Sequence, residues 1–426
     1  MSNRSCSRGH SRPVSVSQAL AISFRLAKHY LCSKAQGIAA EALRPAGLRV
    51  SQTAQVSHSP PIPQVVRTIS GVQAQVTSAA SMALRARIGN LSPEDVADAL
   101  WSKRDLVKTW CMRSTLHYLP SEDLPVYIAG LGPGIALKEQ RWMARCGLDT
   151  ILLEDMVEAV VEALSDGPLT RREIGSRVVG KVGEEARPWV EHSWGGVIKQ
   201  ACLRGLVCFG PDRGREVTFV QLDQWIPGFE RLSDQEGFVL ARAKVLEQWL
   251  KCYGPATIQD FSFWSGVSVR EAAEARSILG NRAVEVMVDG VKALVMQEDL
   301  EALVSADWAG ASEGVNLLAC FDPFLLGHRD KGVLVEREHY KKVFRKAGWI
   351  SPVILVGGKV VGTWDYIRLG RRLRVVLMPF GGTSSDTFSE ASKEMRCGLR
   401  RMLEGGVNDV RRFLGFEEVE VIILCR

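Results

Sequence analysis

The chain has 426 residues, 46% of them apolar, and 11 Trp, so it is long enough for two to four folded domains and is not intrinsically disordered. It has no run of 18 uncharged apolar residues, and we therefore expect no transmembrane helix. Its ten cysteines are scattered without a CxxC pair. This excludes the common zinc-finger spacings and predicts a reduced, cytoplasmic protein with no metal and no other cofactor.

Positive charge is concentrated near the N-terminus. Residues 1–93 contain eleven Lys and Arg residues and one acid, Glu41, so this segment carries +10 and the remaining chain −4. The asymmetry favours a polyanionic partner for the N-terminal third. Residues 1–14 are predicted to be a flexible basic tail. A Ser- and Arg-rich, acid-poor start is also typical of an organelle transit segment, and that alternative stays open.

The first folded unit is predicted over residues 15–145. Residues 15–31 have the periodicity of an amphipathic helix, and residues 33–62 have the small and Pro-rich composition of a long loop. After this loop the sequence predicts a short helix from Pro61 to Gly71, a helix to about Ile88, a helix starting at Ser92-Pro93, and strands over 107–112 and 115–119. Two glutamines, Gln73 and Gln75, lie at the first helix–loop–helix junction.

The next two segments resemble each other. Gly-Pro-x-Thr signals end at Thr170 and at Thr257, 87 residues apart, and each threonine can cap the helix that follows. A further helix and a hairpin come next in both, and the second hairpin has a strong Asp289-Gly290 turn signal. Three helices followed by a two-stranded wing describe a winged helix. We predict winged-helix domains over 146–235 and 236–310, and a third, more elaborate one in the first unit.

Residues 311–426 change to strands, with one helix over 386–403 and a final strand over 419–424. This pattern predicts a small C-terminal β-barrel-like domain. The predicted fold class is therefore α+β, with three tandem winged-helix domains followed by that β-rich domain.

Gln73 and Gln75 are the first candidate for chemistry. A side-chain amide has two donors and one acceptor and does not titrate, so it can hold a water molecule but cannot act as a strong base. That suffices when the leaving group is already activated, as in a purine alkylated at N7 or N3, whose positive charge weakens the bond to the sugar. By themselves, two glutamines near a helix terminus are most often surface or capping residues.

The motif and its context resemble the AlkZ/YcaQ family of bacterial DNA glycosylases. In that family a Gln-apolar-Gln signature carries catalysis, and the match is Gln73-Ala74-Gln75. An Asp replaces the second Gln in the YcaQ branch, so the chain is more similar to the AlkZ branch. The resemblance covers roughly residues 15–425 and continues in order through Leu84-Arg85-Ala86-Arg87, Trp110–His117, Asp260–Gly266, Phe321–Gly327 and Val361–Trp364.

The resemblance implies a monofunctional DNA glycosylase that excises N7- or N3-alkylated purines, bulky adducts and interstrand crosslinks among the possible lesions. Gln73 and Gln75 would position the water. The expected partner is double-stranded DNA, bound by a monomer associated with the nucleoid through a basic concave face. The resemblance leaves the preferred lesion open.

Further DNA contacts are expected from basic side chains. Arg113 is predicted to contact phosphate, with His117 near the base or sugar, and a structural role for His117 is the alternative. Arg85 and Arg87, two positions apart on a helix, can have at most one side chain inward, so phosphate contact and solvation are both open. The same alternatives hold for the arginines of the second unit, at a helix start and a wing tip: Arg171, Arg172, Arg213 and Arg215.

A different class of function is a non-catalytic winged-helix DNA-binding protein, either a regulator or a protein that sequesters lesions. Winged helices occur often in regulators, so the fold alone does not decide between the two classes. The glutamine pair discriminates between them. A family member with a role outside DNA is a third alternative.

Overall fold

The computed structural model describes residues 13–32, 60–192, 194–232, 234–304, 308, 314–380 and 393–424, with side chains of the last segment from residue 403. Most of the predicted basic tail and of the predicted loop over 33–62 therefore lies outside the described residues. The described part begins with a short strand, β1 (Val14–Val16), and a helix, α1 (Gln18–Lys28).

The start of this helix differs from the sequence prediction. Residues 14–16 are extended, and the Ser17 side chain accepts a hydrogen bond from the Leu20 amide at 3.2 Å, which makes Ser17 the helix cap. Periodicity alone extends a helix through its cap, which is why the prediction began at residue 15.

Residues 60–145 form a three-stranded sheet with four helices. The strands are β2 (Val72–Gln73), β3 (Leu106–Trp110) and β4 (Leu116–Pro120), paired antiparallel in the order β2-β4-β3. The helices are α2 (Ile62–Thr68), α3 (Thr77–Arg85), α4 (Pro93–Ala97) and α5 (Leu124–Arg145). The predicted helix start at Ser92-Pro93 is confirmed by a capping box between Ser92 and Asp95.

Two further groups of helices, each followed by a hairpin, occupy residues 149–304. The first contains α6 (Thr150–Ala163), β5 (Leu169–Thr170), α7 (Arg171–Val182), α8 (Arg187–Val190), α9 (Gly196–Leu203), β6 (Val207–Arg213), β7 (Glu216–Gln221) and α10 (Leu222–Trp225). The second contains α11 (Gln235–Tyr253), α12 (Ile258–Ser265), α13 (Val269–Leu279), β8 (Ala283–Val288), β9 (Val291–Met296) and α14 (Leu300–Val304).

The predicted threonine caps are confirmed in both groups. Thr170 forms a capping box with Glu173, and Thr257 forms one with Asp260. The two hairpins lie where alternation predicted them, the second around Asp289. The number of winged-helix domains and their boundaries stay predictions.

The N-terminal strand and helix pack on the third unit rather than on the first. β1 pairs parallel with β8, so that Val14 lies opposite Val286. Phe24 of α1 joins a small core with Val288 and Val295 of the hairpin. The assignment of residues 15–31 to the first unit stays a prediction, and these contacts join them to the third unit. Parallel pairing between elements far apart in sequence leaves no local signal.

The C-terminal unit corrects the prediction of a β-barrel-like domain. Its strands form an open five-stranded sheet in chain order: β10 (Val315–Leu318), β11 (Val353–Val356), β12 (Lys359–Leu369), β13 (Arg372–Pro379) and β14 (Glu418–Ile423). Within the described residues, the edge strands β10 and β14 do not pair with each other. The last connection explains this, because it contains a long helix and brings β14 parallel to β13.

Three α-helices of this unit are described: two short ones, α15 (Pro323–Leu326) and α16 (Tyr340–Val343), and a long one, α17 (Lys393–Phe413). The predicted helix over 386–403 lies partly outside the described residues, and the helix ends ten residues later than predicted. Tyr253, at the end of α11, ties the units together, because its hydroxyl lies 3.4 Å from the Ile69 carbonyl oxygen and 3.2 Å from that of Pro323.

Candidate active site

The two glutamines lie beside β4, Gln73 at the end of β2 and Gln75 in the bend that follows it. Gln73 is opposite His117 in the β2–β4 register, and the Ala74 amide continues the pairing with the Leu116 carbonyl oxygen at 2.7 Å. Val72 and Ala74 are buried in the core. Since side chains alternate along a strand, Gln73 points away from the face of Val72, and Gln75 follows in the bend after the strand. Gln73 is 7% exposed, whereas Gln75 is exposed.

A glycine sets the entry to this segment. Gly71 has φ +94°, and a Cβ atom at this position would lie 2.9 Å from Leu119 Cδ2. Both the left-handed backbone and the close approach require glycine. Gly71 thus turns the chain from the end of α2 into β2, and this turn fixes which face Gln73 occupies.

Arg113 holds the Gln73 amide. Its Nη2 donates to Gln73 Oε1 at 3.0 Å, and its Nη1 donates to the carbonyl oxygen of Trp264. The turn between β3 and β4 places Arg113 there with φ 53°, and Gly266 packs so closely that a Cβ on it would lie 3.0 Å from the Arg113 amide nitrogen. The guanidinium therefore orients Gln73 with its Oε1 toward the charge.

Burial lowers the pKa of Arg113 to about 10, so the side chain stays cationic at neutral pH. Both of its hydrogen bonds to Gln73 and Trp264 end on protein acceptors and not on an open surface. Arg113 thus contacts the predicted catalytic residue Gln73, and its phosphate contact stays a prediction.

Gln75 is held by a different donor. The Leu116 amide donates to Gln75 Oε1 over 3.4 Å, a long hydrogen bond at the rim of the sheet. Among the described residues no carboxylate lies within hydrogen-bonding distance of either glutamine amide. The site therefore consists of two neutral amides, one fixed by a cation and one more loosely held.

His117 lies beside Gln73 as a neutral imidazole. Burial, followed by the charge of Arg113, lowers its pKa to about 3. Its Nδ1 lies 3.0 Å from the Thr115 carbonyl oxygen, which can only accept, so Nδ1 carries the proton and Nε2 the lone pair. His117 cannot supply a positive charge for a phosphate near neutral pH.

Arg85 and Arg87 are both used inside the protein. Arg85 Nη2 donates to the Leu317 carbonyl oxygen at 3.0 Å, and burial lowers the pKa of Arg85 to about 10. Arg87 makes two hydrogen bonds of 2.8 and 2.7 Å to Asp322, and both side chains are 0% exposed. Asp322 also caps α15 through the Phe324 amide at 2.9 Å.

A phosphate contact by Arg87 is therefore a wrong prediction. So is the expectation that at most one of the two arginines points inward. That expectation used helical spacing, but α3 ends at Arg85, so Arg87 leaves the helix and reaches the C-terminal unit. Burial alone would lower the pKa of Arg87, and the charge and hydrogen bonds of Asp322 raise it overall.

The arginines of the second unit divide into two kinds. Arg171 donates to the His192 carbonyl oxygen at 3.0 Å, and Arg213 bonds Glu173 at 2.8 Å. Arg172 and Arg215 are exposed and make no ion pair within the part of the chain that the structure describes. The structure thus joins Gln73, Gln75, Arg113 and His117 in one place and leaves these arginines elsewhere.

Sequence reasoning missed the residues that support Arg113. Trp264 and Gly266 belong to the segment Asp260–Gly266, whose resemblance to the family was recognised without a role. Ser114 was missed as well; its hydroxyl donates to Glu139 at 2.6 Å, and Glu139 also pairs with Lys199 at 3.1 Å. Contacts between units carry no sequence signal without an alignment.

Glu336, Glu338 and His339 form the one group in the described residues whose ligand atoms are close enough to hold a metal ion. It is a mostly exposed acidic group and contacts neither glutamine. No helix in the described part of the chain is both long and apolar enough to cross a membrane.

Comparisons with known proteins identify the family of the chain. The model of the family described as DNA glycosylase AlkZ-like matches residues 66–405, which include both glutamines. The chain is 33% identical over 344 residues to the interstrand DNA cross-link repair glycosylase of Streptomyces sahachiroi, covering 79% of this chain and 89% of that protein. The solved structure of Streptomyces sahachiroi DNA glycosylase AlkZ matches with a TM-score of 0.77 and 28% sequence identity, covering 96% of this chain and 100% of that one. The chain belongs to the DNA glycosylase AlkZ-like family.

Proposed function

We propose that this protein is a monofunctional DNA glycosylase that hydrolyses the N-glycosidic bond of N7- or N3-alkylated purines in double-stranded DNA. Bulky adducts and interstrand crosslinks are included, because the Streptomyces sahachiroi relative is named as a cross-link repair glycosylase. The observation that carries the proposal is the pair of amides beside β4, with Gln73 fixed by Arg113 and Gln75 held by the Leu116 amide.

In the proposed reaction the water oxygen bonds to C1′ as the bond from C1′ to the purine breaks. The purine leaves with the bonding electron pair, which neutralises the charge that alkylation had placed on it, and the water's proton passes to solvent. A carbonyl oxygen has two lone pairs, so Gln73 Oε1 can accept from Arg113 and from the water together. The amides set the position of the water, and the activated leaving group removes the need for a charged base.

Two observations support hydrolysis without an amine nucleophile. Lys108 is buried and donates to Thr77 Oγ1 at 3.2 Å, not to a glutamine. Burial lowers the pKa of Lys331 to about 7, but its Nζ donates to the carbonyl oxygens of Leu325 and His328 and packs on aromatic rings. We expect borohydride to trap no covalent complex between the wild-type protein and alkylated DNA.

We further propose that the helix-plus-hairpin units act as winged helices that bind the duplex mainly through phosphates. The exposed Arg172 on α7 and Arg215 at the tip of the β6–β7 hairpin support this role. Arg171 and Arg213 hold those elements through the His192 carbonyl oxygen and the Glu173 carboxylate.

Excision from a duplex that contains N7-methylguanine tests the proposal. Gln73→Ala and Gln75→Ala should each lower the excision rate about 100-fold or more, the usual size of losing a positioned polar group at a reacting centre. DNA affinity should stay within a few-fold. Gln64→Ala, an exposed glutamine on α2, is the matched control and should excise like the wild type.

A wild type that releases no base, or glutamine variants that release it at the wild-type rate, would contradict the enzyme. With DNA affinity retained, the non-catalytic DNA-binding protein would then be the better description. Loss of duplex binding even at low salt would instead favour a role outside DNA.

A further inference from the structure

A groove begins beside the glutamine pair and leads into the C-terminal unit. Val76, the residue after Gln75, lines it together with the first turns of α3. Its other walls come from residues 341–352 around α16 and from residues 363–368 of β12. The cavity volume is about 700 Å³, which suits one nucleotide or two, not a duplex. We call it the basic groove.

The rim of this groove is cationic. Lys341, Lys342, Arg345 and Arg368 line it, against one carboxylate, Asp365. All four cations are exposed, and none makes an ion pair with another described residue. Lys342 lies 5.2 Å from the centre of the Phe380 ring, a contact that leaves its charge available. Unpaired cations around a concavity favour an anionic occupant.

The end of α3 adds to this preference. The helix begins at Thr77 after Val76 with no side-chain cap, and its first turn contains no acid. The amide groups of a first helical turn lack partners within the helix and favour a negative charge. This end of α3 lines the same groove as the four cations.

The inside of the groove is aromatic. Trp349 is 42% exposed and packs edge-on against Phe321, with ring centroids 5.1 Å apart. The Arg345 amide donates to the Trp349 carbonyl oxygen at 2.7 Å, which closes a tight turn in the backbone, and the Phe321 ring supports the indole. Trp364 forms the floor, with its Nε1 donating to the Leu318 carbonyl oxygen at 2.9 Å. A fixed, half-exposed indole is a surface on which a base can stack.

We propose that the basic groove binds an unpaired nucleotide of the DNA strand beside the lesion. The base stacks on Trp349, and the flanking phosphates contact Lys341, Lys342, Arg345 and Arg368. The assignment rests on the proposed function, because the groove adjoins Gln75 through Val76. It makes the C-terminal unit a part of DNA binding, in addition to the winged helices.

Salt dependence tests the phosphate contacts. We would measure the affinity of the full chain for an unmodified duplex with one unpaired base over a range of salt concentrations. Each phosphate contact contributes about 0.7 to 0.9 to the slope of log affinity against log salt. The variant with Lys341→Ala, Lys342→Ala and Arg345→Ala should therefore lower the slope by about 2. Lys346→Ala, an exposed neighbour outside the groove, should leave it unchanged.

Stacking is tested with 2-aminopurine as the unpaired base. Wild-type protein should quench its emission on binding, and Trp349→Ala should abolish the quenching and weaken binding about 5- to 150-fold. Trp349→Phe should retain part of both effects. Trp142→Ala, which removes a similarly exposed Trp outside the groove, should behave like the wild type.

An unchanged salt slope in the triple variant, or wild-type quenching by Trp349→Ala, overturns this inference. Single variants Lys341→Ala and Arg345→Ala, each expected to lower the slope by about 0.7 to 0.9, replace the triple variant if it misfolds. If the wild type binds and excises, and all groove variants behave identically to it, only the proposed role of the basic groove is rejected. A wild type that does not bind DNA rejects the proposed function as well.

Discussion

The arginines that follow the glutamine motif and the cations of the basic groove carry the same charge but are used in opposite ways. Arg85, Arg87 and Arg113 donate to protein acceptors and are largely withdrawn from solvent. Lys341 and Arg345 are exposed and lack ion-pair partners among the described residues. Within the segment of largest net charge, Arg85 and Arg87 are therefore structural cations, whereas the exposed cations of the basic groove lie in the more acidic part of the chain.

The buried pair between Arg87 and Asp322 gives the sharpest test of this difference. Asp322→Asn keeps the shape but leaves the Arg87 charge buried without a counterion, which costs about 3–5 kcal/mol of stability. Urea unfolding would measure the loss. Glu184→Gln, which breaks an exposed pair with Arg187, is the control and should cost about 0–1 kcal/mol.

A loss of stability below about 1 kcal/mol for Asp322→Asn would mean that the Arg87–Asp322 pair is accessible to solvent. The distinction between buried structural cations and exposed cations would then not hold for Arg87. The excision rate per folded molecule should remain close to that of the wild type, because Asp322 contacts neither glutamine.

A substitution at Arg113 would distinguish a role in positioning Gln73 from a contact with DNA phosphate. Arg113 reaches its two acceptors with two separate Nη atoms, whereas lysine has one nitrogen, so we expect Arg113→Lys to lose the hydrogen bond to Gln73 or to Trp264. Losing a hydrogen bond to a charged group costs about 1.5–3 kcal/mol, or roughly a 10- to 150-fold drop in the single-turnover excision rate. DNA affinity and its salt slope should not change. A variant that excises normally from the bound complex but binds with a lower slope would return Arg113 to the phosphate contacts.

The local elements could be predicted from sequence because their signals are local. Gly71 and Pro61-Ile62-Pro63 placed the glutamines between a helix end and a helix start, and Thr170 and Thr257 marked their caps correctly. Asp289-Gly290 gave the second hairpin. In each of these cases, the residues that form the cap or turn lie within four or five positions of one another in the sequence.

The contacts across units could not be predicted in this way. Arg87 meets Asp322 across 235 residues, and Arg113 meets Trp264 across 151. Nothing in the sequence around Arg87 or Arg113 distinguishes either residue from an arginine exposed to solvent. The basic groove is also assembled from five separate stretches of the chain, and its cations are spaced as ordinary surface lysines and arginines. Only the folded chain shows which charges face solvent.

Buried neutral histidines predict an acid sensitivity. The pKa of His117 is lowered to about 3, whereas an unfolded histidine titrates near 6.5. Between these values the unfolded chain binds a proton that the folded chain does not, so stability is present above pH 6.5 and falls as the pH is lowered. The contribution is about 1.4 kcal/mol per pH unit below that point.

Urea unfolding of wild type and His117→Gln from pH 7 to pH 5 would measure this difference. The variant should show a shallower decline, because one of the groups that resist protonation has been removed. Equal slopes would show that His117 can be protonated in the folded protein. His117 would then behave like a solvent-exposed group and not like the buried Arg87.

The same difference between paired and unpaired arginines occurs within the single β6–β7 hairpin. Arg213 pairs with Glu173 and donates to the Pro168 carbonyl oxygen at 2.9 Å, whereas Arg215, two residues on, has no ion pair in the described residues. Arg215→Ala should lower the salt slope of duplex binding by about 0.9 and leave stability within about 0.5 kcal/mol. Arg213→Ala should do the reverse, with an unchanged slope and a loss of up to about 1 kcal/mol. If Arg213→Ala instead lowered the slope as much as Arg215→Ala, the Arg213–Glu173 pair would have to open on DNA, and a partner in the free protein would no longer identify a structural arginine.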